Sequence, residues 1–163
     1  MLSAYHTHIS ERSAVGLPPL PLNAEQVAAL VALLKSTPAG AAEAAELMDL
    51  LENRIPAGVD QAAYVKAAFL ADIAQGAAKS ALLTPARAVE LLGTMLGGYN
   101  VQALVALLDS TAPALAASAV KALSHTILMF DAYHDVVAKM QAGNAHAKAL
   151  IESWAAGEWF TAR

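Results

Sequence analysis

Hydrophobic side chains recur along this chain at the spacing of an α-helix. Apolar residues fall at positions i, i+3, i+4 and i+7, which places four side chains on one helix face. The clearest stripes are Val27/Leu30/Val31/Leu34, Ala44/Leu47/Met48/Leu51, Ala88/Leu91/Leu92/Met95, Val101/Leu104/Val105/Leu108, Tyr133/Val136/Val137/Met140 and Ala147/Leu150/Ile151/Trp154. Strand-like alternation is nowhere sustained. With two weaker stripes and a first helix near the N-terminus, the pattern predicts an all-α fold of about nine helices.

Residues that favour helix ends stand between the stripes. Asn23, Thr84, Asn100 and Asn144 each stand where an N-cap side chain can accept from free backbone N–H groups. Pro85 fits the first position of a helix, where the missing N–H costs nothing. Three glycines follow periodic segments, as C-terminal glycines of helices do: Gly16, Gly76 and Gly143. We therefore expect short turns between well-defined helices.

One hydrophobic string occurs twice. The residues Ala-Leu-Val-Ala-Leu-Leu at 29–34 recur at 103–108, which is 74 residues further on. This offset equals two units of about 37 residues, near the length of the helix-pair repeats of the HEAT and armadillo kind. We predict a HEAT-like superhelix in which four helix pairs stack, at 24–53, 60–96, 101–129 and 131–155. The alternative is an ordinary helical bundle, since repetition can arise by chance in an Ala- and Leu-rich chain.

The composition fits one soluble domain spanning residues 1–163. A hydrophobic content of 57% and a mean hydropathy of +0.46 suggest a membrane protein at first, but about a quarter of the residues are Ala, the strongest helix former. The longest uncharged run, 91–108, is interrupted by Gly97-Gly98 and is a poor membrane span. The N-terminus shows no basic and apolar signal pattern. We expect a cytoplasmic protein without membrane contact.

Charge and cysteine content narrow the chemistry further. The net charge is −4 with only 15% charged residues, so no excess of Lys and Arg is present to neutralise nucleic acid phosphates. The chain contains no Cys, which removes disulfides, thiolate catalysis and the usual ligands of iron–sulfur clusters. We therefore expect no metal or cofactor in this chain.

Residue sets that resemble catalytic motifs are explained by helix geometry. Ser124 and His125, with Asp131 nearby, supply the residue types of a nucleophilic triad, but no strand-to-helix turn exposes the serine. His6 and His8 are two residues apart, which turns them to different helix faces. We expect no catalytic residues in this chain, and we interpret His125 as a residue that hydrogen-bonds locally or lies at a repeat interface.

Protein contact is the remaining role for the unusual side chains. Trp159 and Phe160 lie beyond the last stripe, which favours docking on a partner, since aromatic residues dominate interface energetics. Trp154 belongs to that stripe, so packing in the core of the last helix is an equally good interpretation. The candidate interface residues are Tyr99, Asn100, His125, Trp154, Trp159 and Phe160.

Several strings together resemble a known family. They are Asn53-Arg54-Ile55-Pro56-Ala57-Gly58-Val59-Asp60, Ala63-Tyr64-Val65-Lys66-Ala67, Leu83-Thr84-Pro85, Glu90-Leu91-Leu92-Gly93-Thr94-Met95, Gly97-Gly98-Tyr99-Asn100, Lys121-Ala122-Leu123-Ser124-His125-Thr126, Leu128-Met129-Phe130-Asp131 and Glu158-Trp159-Phe160. In this order they resemble the N-terminal HEAT-like domain of bacterial aconitase B. The resemblance covers nearly the whole chain.

The resemblance implies a parent enzyme and an accessory role. Family members are lyases of the tricarboxylic acid cycle, aconitate hydratases that interconvert citrate and isocitrate through cis-aconitate and also handle 2-methylisocitrate. Their [4Fe–4S] cluster is held by cysteines of downstream domains, so this chain would be a non-catalytic N-terminal fragment. The implied partners are the remaining domains, a second copy in a homodimer or another protein, and RNA by resemblance alone. The alternative is a free-standing helical-repeat adaptor that binds a protein partner.

Overall fold

The computed structural model describes residues 1–126 and 130–157, with the side chains of residues 130 and 131 excepted. Over this part of the chain the fold is entirely helical, with nine helices and no strand, as the stripes predict. The helices are α1 (Leu2–Ala14), α2 (Ala24–Ser36), α3 (Ala44–Asn53), α4 (Gln61–Gln75), α5 (Pro85–Gly93), α6 (Val101–Leu107), α7 (Pro113–Ser124), α8 (Phe130–Gln141) and α9 (Ala145–Ala155). None of these helices is both long and apolar enough to cross a membrane.

Consecutive helices pair, and the pairs stack in two layers. α2 packs on α3, α4 on α5, α6 on α7 and α8 on α9. Helices α2, α4, α6 and α8 also contact one another in turn, and so do α5, α7 and α9. Glu52 of α3 forms an ion pair with Arg87 of α5 at 2.9 Å, which joins α3 to the second layer. The four predicted helix pairs are therefore present, while the HEAT-like class itself stays a prediction.

The helix ends follow the sequence signals with one exception. Asn23 forms a capping box with Gln26 at the start of α2, and Thr84 and Asn144 accept from backbone N–H groups of α5 and α9. Asn100 was expected to cap α6 in the same way, but its side chain makes no such bond. It is fully buried, and its Nδ2 donates to the carbonyl oxygen of Leu92 at 2.7 Å. The residue therefore ties the end of α5 to the start of α6.

Helix α1 closes one end of the stack and holds the proline-rich connection in place. The buried Tyr5 donates its hydroxyl to the carbonyl oxygen of Leu20 at 3.1 Å. Arg54, at the end of α3, donates from Nε to the Tyr5 hydroxyl at 3.0 Å and from a terminal nitrogen to the Pro19 carbonyl at 2.8 Å. The proline-rich connection, residues 18–21, is thus fixed by hydrogen bonds to Tyr5 of α1 and to Arg54 at the end of α3.

The connections between helices alternate between two edges of the stack. We call one the inter-pair edge: it carries the connections 15–23, 54–60 and 94–100, and residues 125–126 at the end of α7. The Leu22 N–H donates to the Arg54 carbonyl and the Leu96 N–H to the Ala57 carbonyl, each at 2.8 Å, which joins neighbouring connections along this edge. The opposite, intra-pair edge carries the connections 37–43, 76–84, 108–112 and 142–144.

Candidate interaction surface

Among the residues that the structure describes, large exposed hydrophobic side chains are confined to the inter-pair edge. The described residues include seven of them, and all seven lie in a connection of this edge or within the first turn of the helix that follows it. They are Val15, Leu17, Leu20, Val59, Tyr64, Leu96 and Tyr133. A scattered exposed leucine needs no explanation, but contiguous exposed apolar residues mark interaction sites. This edge is therefore the candidate interaction surface.

Four of its residues form a compact group that we call the tyrosine patch: Val59, Tyr64, Leu96 and Tyr99. The exposed fractions of Val59, Tyr64 and Leu96 are 77%, 55% and 57%. The half-buried Tyr99 meets Tyr64 edge to face, with ring centroids 5.4 Å apart and an interplanar angle of 83°. Such an aromatic pair is a favourable arrangement in its own right. The patch thus combines two connections, 54–60 and 94–100, in one apolar surface.

Glycines allow the two connections of the patch to touch. A Cβ on Gly97 would lie 2.6 Å from the carbonyl oxygen of Gly58, so only glycine permits this approach. The Leu96 N–H···O=C Ala57 hydrogen bond crosses the same contact. Asn100, with Nδ2 also 3.3 Å from the Met95 carbonyl, fixes the connection from inside. The backbone beneath the patch is therefore held in one arrangement.

The Ser124 hydroxyl bonds to the backbone of its own helix rather than to His125. The Ser124 hydroxyl donates to the carbonyl oxygen of Lys121 at 2.8 Å, and the exposed His125 is the C-cap residue of α7. His125 lines a shallow groove of about 330 Å³ between α5 and α7, together with Glu90 and Lys121. His125 therefore lies beside the contact between neighbouring helix pairs, and its role at an interface stays a prediction.

Trp154 is half-buried at the end of α9, on the inter-pair edge. Its indole Nε1 donates to the Leu123 carbonyl at 3.3 Å, and its ring centroid lies 6.2 Å from that of Tyr133. The apolar stripe of α8 predicts Tyr133 on the buried face of that helix, but 45% of this residue is exposed. Trp159 and Phe160 lie outside the described residues.

Charged side chains cluster elsewhere, between α3, α4 and α5. Lys66 is only 4% exposed, and burial lowers the pKa of its ammonium, an effect that Glu52 partly opposes. Arg87 hydrogen-bonds to both Glu90 and Glu52, and these bonds raise the pKa of its guanidinium. None of the four side chains belongs to the tyrosine patch, which contains no ionisable acid or base besides its phenols.

Comparison with known proteins gives the family. A family model described as the aconitate B N-terminal domain matches residues 4–160. The chain belongs to the aconitase B family, as its N-terminal domain. It is 58% identical over 163 residues to aconitate hydratase B of Escherichia coli strain K12 and 56% identical to that of Pseudomonas aeruginosa. Aconitate hydratase B of Helicobacter pylori strain J99 is 45% identical over 159 residues, or 98% of the chain.

This aconitase B domain represents a small part of its relatives. The whole chain matches only 18% of the length of the E. coli and P. aeruginosa proteins. It contains no cysteine, and within residues 1–126 and 130–157 no three His, Asp or Glu side chains are grouped to hold a metal ion. The chain therefore has no thiolate ligands to offer to a [4Fe–4S] cluster.

Four of the six expected interface residues lie on or beneath the inter-pair edge, whereas three of the four residues of the tyrosine patch were not expected. Of the expected interface residues, Tyr99 lies in the patch, His125 and Trp154 lie further along the same edge, and Asn100 lies beneath it. Val59, Tyr64 and Leu96 were not named as candidates. One signal was available for Tyr64, because this residue stands outside the Val65/Phe69/Ile73 stripe of its own helix and must face away from the core.

Proposed function

We propose that this chain is a non-catalytic, HEAT-like interaction domain of a parent aconitate hydratase. The parent converts citrate to isocitrate through cis-aconitate, with a [4Fe–4S] cluster bound by cysteines outside this chain. The domain contacts the remaining domains, contributes to dimerisation and helps to shape the access of substrate to the active site. The family membership and the small share of the relatives' length that the chain represents both support an accessory role.

One structural observation carries the proposal: every large exposed hydrophobic side chain of the described residues lies on a single edge. On a surface that meets only solvent, nothing favours the collection of exposed apolar side chains on one side. The cost of leaving such side chains in water is about 25 cal/mol per Å² of apolar area, which a docked partner would recover. The edge is thus suited to binding a protein.

The alternative is a free-standing adaptor, which would use the same edge to bind a different protein. The two functions differ in what covers the edge and in whether a hydratase is attached. Sequencing the gene beyond the codon for Arg163 separates them. A downstream region with cysteines supports the accessory domain, and a stop codon there favours the adaptor.

The catalytic part of the proposal is tested by activity. The purified 163-residue chain should not turn over citrate, isocitrate or cis-aconitate, even after treatment with iron and sulfide, while the full-length parent should turn over all three. Turnover by the chain alone would overturn the non-catalytic assignment. Deletion of residues 1–163 from the parent should change its KM or its oligomeric state at equal cluster content. An unchanged KM and oligomeric state would contradict the interaction role.

A further inference from the structure

The tyrosine patch is the part of the inter-pair edge best suited to a permanent contact. We infer that it docks this domain on an apolar, uncharged surface of the remaining polypeptide of its own parent enzyme. This inference rests on the proposed function and adds to it the docking residues and the chemistry of their partner. The docking residues are Val59, Tyr64, Leu96 and Tyr99.

The patch is ready to bind without rearrangement. Binding loses free energy when loops and long side chains must be ordered, and here the two connections are already joined by the Leu96–Ala57 hydrogen bond and the Gly58–Gly97 contact. Tyr64 is also restrained by its contact with the Tyr99 ring. Rigid aromatic side chains of this kind form the energetic centres of protein interfaces.

The chemistry of the patch defines its partner. Its four side chains carry no formal charge, and neither tyrosine hydroxyl bonds to another side chain or carbonyl of the described residues. The neighbouring Asp60 accepts from the Ala62 N–H at 2.7 Å as the cap of α4, so its carboxylate is engaged within this domain. A complementary surface is therefore apolar, with one or two polar groups that can hydrogen-bond to the phenols, and binding to it should depend little on salt.

The length of the relatives and the position of α9 both favour the remaining polypeptide of the parent enzyme as the partner that covers the tyrosine patch. In the relatives, this domain accounts for 18% of the chain, so a much larger body stands beside it. Helix α9 ends on the inter-pair edge, where Trp154 meets Leu123. Packed helices are 8–10 Å apart, which places the end of α9 roughly 20 Å along the edge from the patch. A polypeptide that continues from α9 therefore reaches the patch without crossing the domain.

Site-specific photocrosslinking in the full-length parent enzyme tests this assignment. A benzophenone amino acid is introduced at position 64, where it extends an exposed aromatic ring, in the protein expressed in its own host. Two matched controls carry the same group: Tyr133, which occupies the equivalent fourth position of α8 at the far end of the edge, and the exposed Thr111 of the intra-pair edge. Crosslinked peptides are identified by mass spectrometry, at low salt and in 1 M NaCl.

The expected result is a crosslink from position 64 to a peptide beyond residue 163 of the same polypeptide. Its yield should be at least tenfold above that from position 111 and should change less than twofold in 1 M NaCl. A crosslink to residues 1–163 of a second copy, or to a different protein, would overturn the assignment. So would a yield no higher than at position 111, or a higher yield at position 133.

A second measurement keeps this inference separate from the proposed function. The full-length variant Tyr64→Ser/Leu96→Ser should release residues 1–163 from the remainder at least tenfold faster during limited proteolysis, while the same double change leaves the melting temperature of the isolated chain within about 2 °C. If deleting residues 1–163 alters the parent enzyme but this variant does not alter release, the accessory role stands and the patch is the wrong surface.

Discussion

Gly97 and Gly58 lie so close together that no side chain fits between their two connections. A Cβ on Gly97 would lie 2.6 Å from the Gly58 oxygen and 2.7 Å from the Gly58 carbonyl carbon, both of them backbone atoms. Gly97→Ala should therefore destabilise the isolated chain by about 1–3 kcal/mol, the usual cost of overpacking. The free energy of unfolding in urea gives the value.

Gly40 provides the matched control for Gly97. It lies in the connection 37–43 of the intra-pair edge, its φ is not positive, and a Cβ there would meet no atom within 4 Å. Gly40→Ala should change the free energy of unfolding by no more than about 0.5 kcal/mol, as for most surface substitutions. Equal effects at the two glycines would show that the Gly58–Gly97 contact does not constrain the fold.

Asn100 acts as a hydrogen-bond donor, which distinguishes it from the capping asparagines. In Asn100→Asp, a buried carboxylate would face the Leu92 and Met95 carbonyl oxygens in place of an amide donor. We expect a loss of about 3 kcal/mol or more at pH 7, because a buried charge without a partner is strongly unfavourable. The loss should shrink as the pH falls from 7 to about 4, because burial raises the pKa of the carboxyl in the folded chain and the protonated form regains a donor. Urea unfolding at both pH values measures this difference.

Asn23 is the natural comparison for that substitution. Its Oδ1 accepts from the Gln26 N–H at 2.9 Å at an exposed helix start. A carboxylate accepts equally well there and interacts favourably with the helix dipole. Asn23→Asp should therefore change the free energy of unfolding of the isolated chain by no more than about 0.5 kcal/mol. A comparable loss at both positions would contradict the donor role of Asn100.

Leu104 tests the packing of the helix pairs. It is fully buried on α6, in the second copy of the repeated Ala-Leu string. Leu104→Ala should cost about 2–5 kcal/mol, from lost burial and the cavity left behind. Leu96→Ala, on the exposed tyrosine patch, should cost less than about 0.5 kcal/mol in the isolated chain. Denaturant midpoints with equal m-values would show both effects, and a small loss at Leu104 would reject its placement in the core.

The buried Lys66 should make the stability of the folded chain depend on pH in the alkaline range. Because burial lowers the pKa of Lys66 in the folded chain below that of the unfolded chain, its charge opposes folding at neutral pH. This penalty decreases as the pH rises through the folded-state pKa towards the unfolded value near 10.4. Lys66→Met should therefore raise the melting temperature at pH 7, and the gain should shrink as the pH approaches 10. A lower melting temperature at pH 7 would instead mean that the ion interaction with Glu52 dominates.

The sequence predicted the helices well because their signals are local. The stripe of α6 is buried at all four of its predicted positions, since spacing alone decides which face of a helix meets the core. The cap at Asn23 needed only Gln26 three residues later. Asn100 does not cap α6 because its amide donates instead to the carbonyl oxygens of Leu92, near the end of α5, and Met95, in the connection that follows. The positions of these oxygens depend on how α5 and α6 are joined.

The tyrosine patch was harder to predict because it joins distant residues. Tyr99 meets Tyr64 across 35 positions of sequence only because two connections share an edge. The residues next to Val59 and Leu96 in the sequence do not show whether an apolar side chain in a turn is exposed or buried. The indole of Trp154 contacts α7 through Leu123, and part of the ring faces solvent beside Tyr133, so its role at an interface stays a prediction.

Because the helix connections alternate between two edges, a segment joined to the end of α9 starts on the same edge as the tyrosine patch. A tethered partner that starts on the same edge as the patch experiences it at an effective concentration in the millimolar range. At such a concentration, a contact that would be too weak between separate proteins is occupied almost all the time. In the docking inferred above, the few side chains of the tyrosine patch would therefore suffice to keep a large neighbour in place.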